Sequence, residues 1–361
     1  MGDTGEALEA IGRAAAQRLT DRDCPVIGIT GSVGKTSVKD LAAAALTSRR
    51  AHASERSFNN ELGVPLTLIN TPDDAGVVIA EMGARGIGHI DYLCSIARPT
   101  VGVVTMIGEV HTSEFGTIEA VAQGKGELLA SLPASGTAVV NADSPFADEL
   151  AARTEAPVLT YSLGSGADVH AEDVRLDDQL RPRFVARTPS GRAEISLQVR
   201  GAHQVSNALA ALAISEALRV DLATAADGLM HAALSPWRME FHRLDSGAVL
   251  INDAYNANLL SVTAALESLA LVQANRRVAV LGTMAELGEL HTSHHQRAAQ
   301  RAAELGIEVI AYAEDAYGVD SAQSFDDVLA RLGPVGADDA ILVKGSRVAG
   351  LEELAAQLAQ T

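Results

Sequence analysis

The stretch GITGSVGKTSVKDLAAAAL, Gly28 to Leu46, ends an apolar run in a glycine turn and then places a lysine and two hydroxyls at the head of an alanine-rich helical pattern. Gly31 and Gly34 bracket Ser32 and Val33, and Lys35, Thr36 and Ser37 follow directly. Glycines let backbone N–H groups approach phosphate oxygens, the following helix presents its positive end, and a lysine supplies a mobile charge for the outer phosphates. Thr36 or Ser37 would then offer a hydroxyl to magnesium. The full pattern G-x-x-x-x-G-K-[ST] is not met, because Ile29 stands where its first glycine belongs. An ordinary strand-turn-helix with an exposed lysine would share part of this outline.

Three further residues have types suited to phosphate and metal chemistry. Glu81 ends the strand-like run VVIAE, and ligands of open α/β sheets collect at strand carboxyl ends, so this carboxylate could meet magnesium held by the loop. Position alone allows a solvated strand-end acid equally well. His111, in GEVHTSEFG just after the run VGVVTMI, falls at the same sheet edge, where a loop histidine is commonly just polar. Lys125, in VAQGKGELL, reads by periodicity as a solvated helix residue.

The elements that must position these groups follow an α/β rhythm. Between Val26 and about Ser235, the runs VIGIT, GVVIAEMG, VGVVTMI and TAVVNAD alternate with helical segments, which predicts βαβ crossovers and a mostly parallel sheet. From about Pro157 to Arg200 the runs RFVART and AEISLQV alternate with charged and Gly/Pro turns, predicting a small antiparallel addition. A break at Ser235-Pro236 precedes a second series, AVLINDAY, RRVAVLG, IEVIAYA and AILVKGS, of Rossmann type. The division is therefore an N-terminal helix over residues 1–20, a central domain over 21–235 and a C-terminal domain over 236–361.

Composition narrows the function classes. A formal net charge of -18, from 28 basic and 46 acidic residues, repels a polyanion, so no nucleic-acid partner is expected. No segment stays apolar long enough to span a bilayer, and the N-terminal MGDTGEALEAIGRAAAQRLT reads as an amphipathic helix rather than a signal peptide, so no membrane partner is expected. Cys24 and Cys94 have neither the number nor the spacing of a disulfide framework or zinc site, which fits a reducing cytoplasm.

Taken in order, the blocks GITGSVGKTSVK, SFNNELGVPLTL, AEMGARGIGHI, HTSEFGTIEAVAQGKGEL, NADSP, GAHQVSNALAALA, WRMEF, INDAYNAN, LGTMAELGE and VKGSR resemble the Mur ligase family. The likeness is greatest to the branch that adds D-alanyl-D-alanine to UDP-N-acetylmuramoyl-tripeptide, and it covers about Val26 to Ser346. The family's shortened glycine loop accounts for Ile29. The resemblance implies an ATP-driven ligation of a small-molecule carboxylic acid to an amine, amino acid or dipeptide through an acyl phosphate. It implies that Gly31, Ser32, Gly34, Lys35, Thr36 and Ser37 hold the phosphates, and that Thr36 and Glu81 bind a first magnesium. His111 would help hold a second, and Lys125 matches a lysine that the family carbamoylates into a carboxylate-like ligand. Asn207, with His203 beside it, would sit near adenine, Arg238 would reach the γ-phosphate on domain closure, and Asp253 would contact ribose. Asn59 and Asn60 match a substrate-side loop, and Lys344 and Ser346 are further candidates. A C-terminal domain hinged near Ala233 to Trp237 would exclude water from the acyl phosphate.

Two departures shape the expectation. The phosphate-loop strand begins about 25 residues from Met1, without the domain that grips UDP in peptidoglycan-building members, so a carrier-free acid in a specialised pathway is expected. The alternatives are cell-wall ligation with UDP recognition supplied by a partner chain, and an inactive nucleotide-binding regulator or scaffold; a homo-oligomer or a partner chain is the macromolecular association expected. Thr283, in LGTMAELGE, replaces a usual aspartate on the acceptor side. The histidines of HTSHHQR, His291 to Arg297, are expected in a solvated helix start with Thr292 or Ser293 as cap, leaving His291 outside the helix.

Overall fold

A computed structural model describes residues 4–55, 57–109 and 112–360. The chain opens with α1 (Thr4–Asp21), then alternates β1 (Val26–Thr30), α2 (Lys35–Ala45), β2 (Ala51–Ala53), α3 (Gly63–Ile69), β3 (Val77–Glu81), α4 (His89–Ala97) and β4 (Val101–Val104). Next come α5 (Thr112–Phe115), α6 (Ile118–Ala130), β5 (Thr137–Asn141), α7 (Ala147–Ala151) and β6 (Val158–Ser162). The strands β7 (Val169–Leu176), β8 (Pro182–Thr188) and β9 (Gly191–Ser196) precede α8 (His203–Ala217) and α9 (Leu222–Met230). All nine strands form one sheet in the order β2-β3-β1-β4-β5-β6-β7-β8-β9.

β1 and β3 are buried along their whole lengths, because helices cover both faces of the sheet and leave no solvent side for alternation to record. Ile27, Ile29, Ile79 and Val103 pack toward α2, α8 and α9, while Val78, Ala80, Val104 and Val140 pack toward α1, α4 and α6. β1 pairs with β3 on one side and β4 on the other, so the chain reverses its direction of sheet building beside β1. Such a switch point opens a crevice at the strands' carboxyl ends, and there the glycine loop leaves β1. The antiparallel addition is present as β7-β8-β9, but it continues the main sheet: β6 pairs with β7 in parallel before the strands reverse.

The second unit runs β10 (Glu240–Arg243), β11 (Val249–Asn252), α10 (Leu259–Ala270), β12 (Arg276–Leu281), α11 (His291–Glu304), β13 (Glu308–Ala311), α12 (Phe325–Leu332), β14 (Asp339–Lys344) and α13 (Leu351–Leu358). Its order is β10-β11-β14-β12-β13, parallel except for the edge strand β10. The sequence pattern did not flag β10, whose half-exposed residues carry no long apolar run. Insertion of β14 between β11 and β12 creates a second switch point, with Asn252 and Val343 as register partners at the strand ends. No helix among the described residues is long and apolar enough to cross a membrane.

Candidate active site

The two switch points face one cleft of about 530 Å³, within the usual range for a small-molecule site. Gly31 and Gly34 carry φ of 147° and 87°, which side chains rarely adopt, and a Cβ on Gly31 would lie 2.0 Å from the Thr105 hydroxyl. The loop is tied down by Ser32, whose N–H donates to the Met106 carbonyl (2.7 Å) and whose hydroxyl donates to the Gly108 carbonyl (3.0 Å). Gly34 is the left-handed cap of α2, so the first turn, Lys35 to Ser37, opens into the cleft. Lys35 folds back to donate to the Gly31 carbonyl at 2.7 Å.

Two more helices begin at the same cleft: α8 with His203, Gln204 and Asn207, and α10 with Asn258 and Ser261, locked there by a reciprocal capping box. Helix N-termini present unpaired N–H groups and a positive dipole end, so three of them converging favour an anion. Lys35 and Arg238 add formal positive charge to the same lining, which also holds the carboxylate of Glu81 and the Lys344–Asp253 pair.

Burial pushes the Lys35 ammonium below the usual lysine range; Glu81 opposes that shift and Arg238 adds to it. Lys125 is pushed much further down, first by burial and then by Lys35. Its amine has no hydrogen-bond partner among the described residues, only the Phe115 ring 5.9 Å away. The periodicity reading of Lys125 as solvated is thus overturned: α6 turns it inward, and it is 1% exposed. Glu81 is also 1% exposed; Oε1 accepts from Asn59 Nδ2 (2.8 Å), whereas the buried Oε2 has no partner. A buried carboxylate oxygen without a donor, in the cleft that Thr36 also lines, fits a hard divalent cation. His111 lies outside the described residues.

Asn207 turns Oδ1 toward Gly34 and donates Nδ2 to Gln204 (2.9 Å), and Gln204 in turn contacts His203 Nε2 (3.0 Å). Burial pushes the His203 imidazole below its usual range against the pull of Asp253, and its Nδ1 is buried without a partner. Asp253 pairs with Lys344 (2.5 Å) and accepts from the Met239 N–H (3.1 Å). Asn60 Oδ1 accepts from the Gly63 N–H at the start of α3 (2.9 Å). Ser346 is buried away from the cleft, accepting from the Ala285 N–H and donating to the Ala257 carbonyl.

Two expectations fail outside the cleft. α11 begins at His291 with no side-chain cap, and His294 and His295 are 1% and 0% exposed. His295 accepts from the Met284 N–H (2.9 Å) and contacts the His291 carbonyl through Nδ1 (2.6 Å), so both ring nitrogens are committed to backbone. That commitment removes it as a metal ligand, although His291, His295 and Glu314 lie together. Thr283 bonds to Glu314 instead of lining the cleft. Gln204, Tyr255 and Asn258 also line the cleft but were not singled out; their only signals were their places within the blocks GAHQVSNALAALA and INDAYNAN.

The profile of the Mur ligase middle domain matches residues 29–215, and that of the Mur ligase glutamate ligase domain matches residues 237–360. The chain belongs to the Mur ligase family. This Mur ligase is 42% identical, over 83% of its length, to the UDP-N-acetylmuramoyl-tripeptide--D-alanyl-D-alanine ligase of Mycobacterium tuberculosis, and spans 60% of that relative. It is 36% identical to the ligase of the same name from Synechocystis, over 99% of this chain and 78% of the relative. The crystal structure of MurF from Acinetobacter baumannii superposes with a TM-score of 0.92 at 30% identity, over 99% of this chain and 81% of that one.

Proposed function

We propose that this Mur ligase joins the tripeptide end of a UDP-N-acetylmuramoyl precursor to D-alanyl-D-alanine, with ATP converted to ADP and phosphate. The observation that carries the ligase reading is the convergence of three helix N-termini with Lys35 and Arg238 on one cleft. A carboxylate and a γ-phosphate repel each other, and only concentrated positive charge brings them into line. The glycine loop and Lys35 hold the outer phosphates, and Asn207 with His203 lies on the nucleotide side. Glu81 and Thr36 would hold magnesium, which supplies charge to the β- and γ-phosphates. Lys125, unpaired and with its ammonium disfavoured, has the free amine that carbamoylation requires, and the carbamate would serve as a further anionic ligand.

An oxygen of the substrate carboxylate attacks the γ-phosphorus, the bond to the β–γ bridging oxygen breaks, and ADP leaves. The amine nitrogen then attacks the acyl carbon, the carbon–oxygen bond to phosphate breaks, and the amine proton passes to the medium. Arg238 enters from the C-terminal unit, so the closed arrangement both completes the site and excludes water.

The substrate assignment rests on the named relatives, each a UDP-N-acetylmuramoyl-tripeptide--D-alanyl-D-alanine ligase. The carrier-free acid expected from the sequence has no support among them. Incubation with magnesium ATP, D-alanyl-D-alanine and either the UDP-linked or the carrier-free tripeptide decides between the two. The proposal requires amide product with the UDP-linked acid and none from Lys35→Ala; product from the carrier-free acid alone would contradict it.

A further inference from the structure

Arg238 sits in the cleft without a carboxylate partner among the described residues, and its Nε is buried with no hydrogen bond. What holds it is a ring: its guanidinium carbon lies 4.2 Å from the centroid of Tyr255. A π face attracts the cation while leaving its charge and in-plane N–H groups available to an anion, which a carboxylate partner would not. Tyr255 is fixed at both ends. Its N–H donates to the Trp237 carbonyl (3.2 Å), and its hydroxyl bonds the Ser57 hydroxyl of the central unit.

Ser57 belongs to the loop whose Asn59 donates to Glu81, so one loop touches both the candidate metal ligand and the ring that carries Arg238. The segment on the other side is sprung. Trp237 and Met239, flanking Arg238, have φ of 61° and 52°, an uncommon and strained left-handed state for residues with side chains. Besides the Tyr255 N–H, three contacts hold it: Trp237 N–H to Glu240 (2.8 Å), Met239 N–H to Asp253 (3.1 Å), and the Arg347 guanidinium 4.3 Å from the Trp237 ring.

We infer that Tyr255 is a positioning residue that couples seating of the C-terminal unit to the aim of Arg238, through its hydroxyl bond to Ser57 and its ring face. When the units part, the Ser57 bond breaks, the ring loses its outer anchor and the guanidinium loses its fixed platform. Arg238 is therefore in place only when the cleft is closed over substrate. The inference rests on the ligase reading above.

The test is a double-mutant cycle of Tyr255→Phe and Ser57→Ala, read as kcat and KM for amide formation and as phosphate released per amide formed. Each single variant is expected to lower kcat about tenfold, the worth of one good hydrogen bond, with KM for ATP nearly unchanged. The double variant is expected to be no worse than either single one, because both remove the same bond. Phosphate released per amide should rise in all three, as water reaches the acyl phosphate. Tyr255→Leu, which removes the ring, should approach Arg238→Ala. Ser57→Ala leaves the C-terminal unit intact, so a folding defect in the tyrosine variants would not hide the result. Effects that multiply in the double variant, or kcat unchanged in both singles, overturn the coupling. A wild-type protein that forms no amide refutes the ligase reading itself.

Discussion

Substitution of Gly31 by alanine isolates what the glycine loop contributes. At φ 147° the backbone lies in territory that costs a side-chain-bearing residue of order 1–3 kcal/mol. The new Cβ would also sit 2.0 Å from Thr105 Oγ1, 3.1 Å from Thr105 Cβ and 3.2 Å from the Met106 nitrogen. That hydroxyl donates to the Val33 carbonyl at 2.5 Å, so it cannot swing away without leaving a loop carbonyl unpaired. Overpacking of this kind costs about 1–3 kcal/mol. Together the two effects amount to at least about 2 kcal/mol, or roughly thirtyfold in an equilibrium. A loop that keeps its shape shows the cost as lost stability; a loop that relaxes shows it as weaker ATP binding. Urea unfolding and ATP titration on Gly31→Ala together should recover at least that sum. Thr105→Ala removes the 2.0 Å contact together with the donor to the Val33 carbonyl, so with Thr105→Ala as the reference, Gly31→Ala should cost about half as much, the backbone component. If Gly31→Ala binds ATP and unfolds as the wild type does, to within about 0.5 kcal/mol, the loop geometry argued above is wrong.

Lys125→Ala should abolish amide formation, and acetate or propionate should restore part of it by supplying a carboxylate in the vacated space; undiminished activity would remove Lys125 from the site. Glu81→Gln keeps the acceptor for Asn59 but removes the charge at Oε2, so the magnesium needed for half-maximal phosphate release should rise about tenfold or more, and an unchanged titration would exclude Glu81 as a ligand. His294, from α11, contacts Glu109 of the central unit at 3.1 Å, and Arg297 reaches the same carboxylate at 3.3 Å. Burial holds the His294 imidazole below its usual range while Glu109 pulls it up and Arg297 down. Between that lowered value and about pH 6.5, the unfolded chain takes up more protons than the folded one. Stability from burying the neutral imidazole is thus present above about pH 6.5 and falls as the pH drops, and His294→Gln should flatten that acid limb in thermal unfolding; an identical limb would assign it elsewhere.

How much of this was legible depends on which residues carry local signals. β1 reads directly from VIGIT, a short unbroken apolar run before a glycine turn, as two-sided burial requires. β2, three half-buried residues, and β10 have no periodicity to find, because neighbouring strands rather than their own sequence define them. Lys125 looked solvated because α6 has small and apolar residues around it, with nothing local to say that the lysine turns inward. His294 and His295 misled in the same way: polar residues near a helix start usually face water, but here the loop at Met284 and the central unit at Glu109 cover them. Arg238 was legible only through family resemblance, and its aromatic support was not legible at all. Tyr255 lies 17 positions later, and only the fold of β10 against β11 brings the two together.

Isotope transfer tests the acyl phosphate most directly. The tripeptide substrate, labelled with oxygen-18 in its reacting carboxylate, would be turned over with magnesium ATP and D-alanyl-D-alanine, and the released phosphate examined by mass spectrometry. An acyl phosphate requires one labelled oxygen to appear in inorganic phosphate for each amide formed, with ADP as the nucleotide product. Unlabelled phosphate, or label recovered in AMP, would contradict the account.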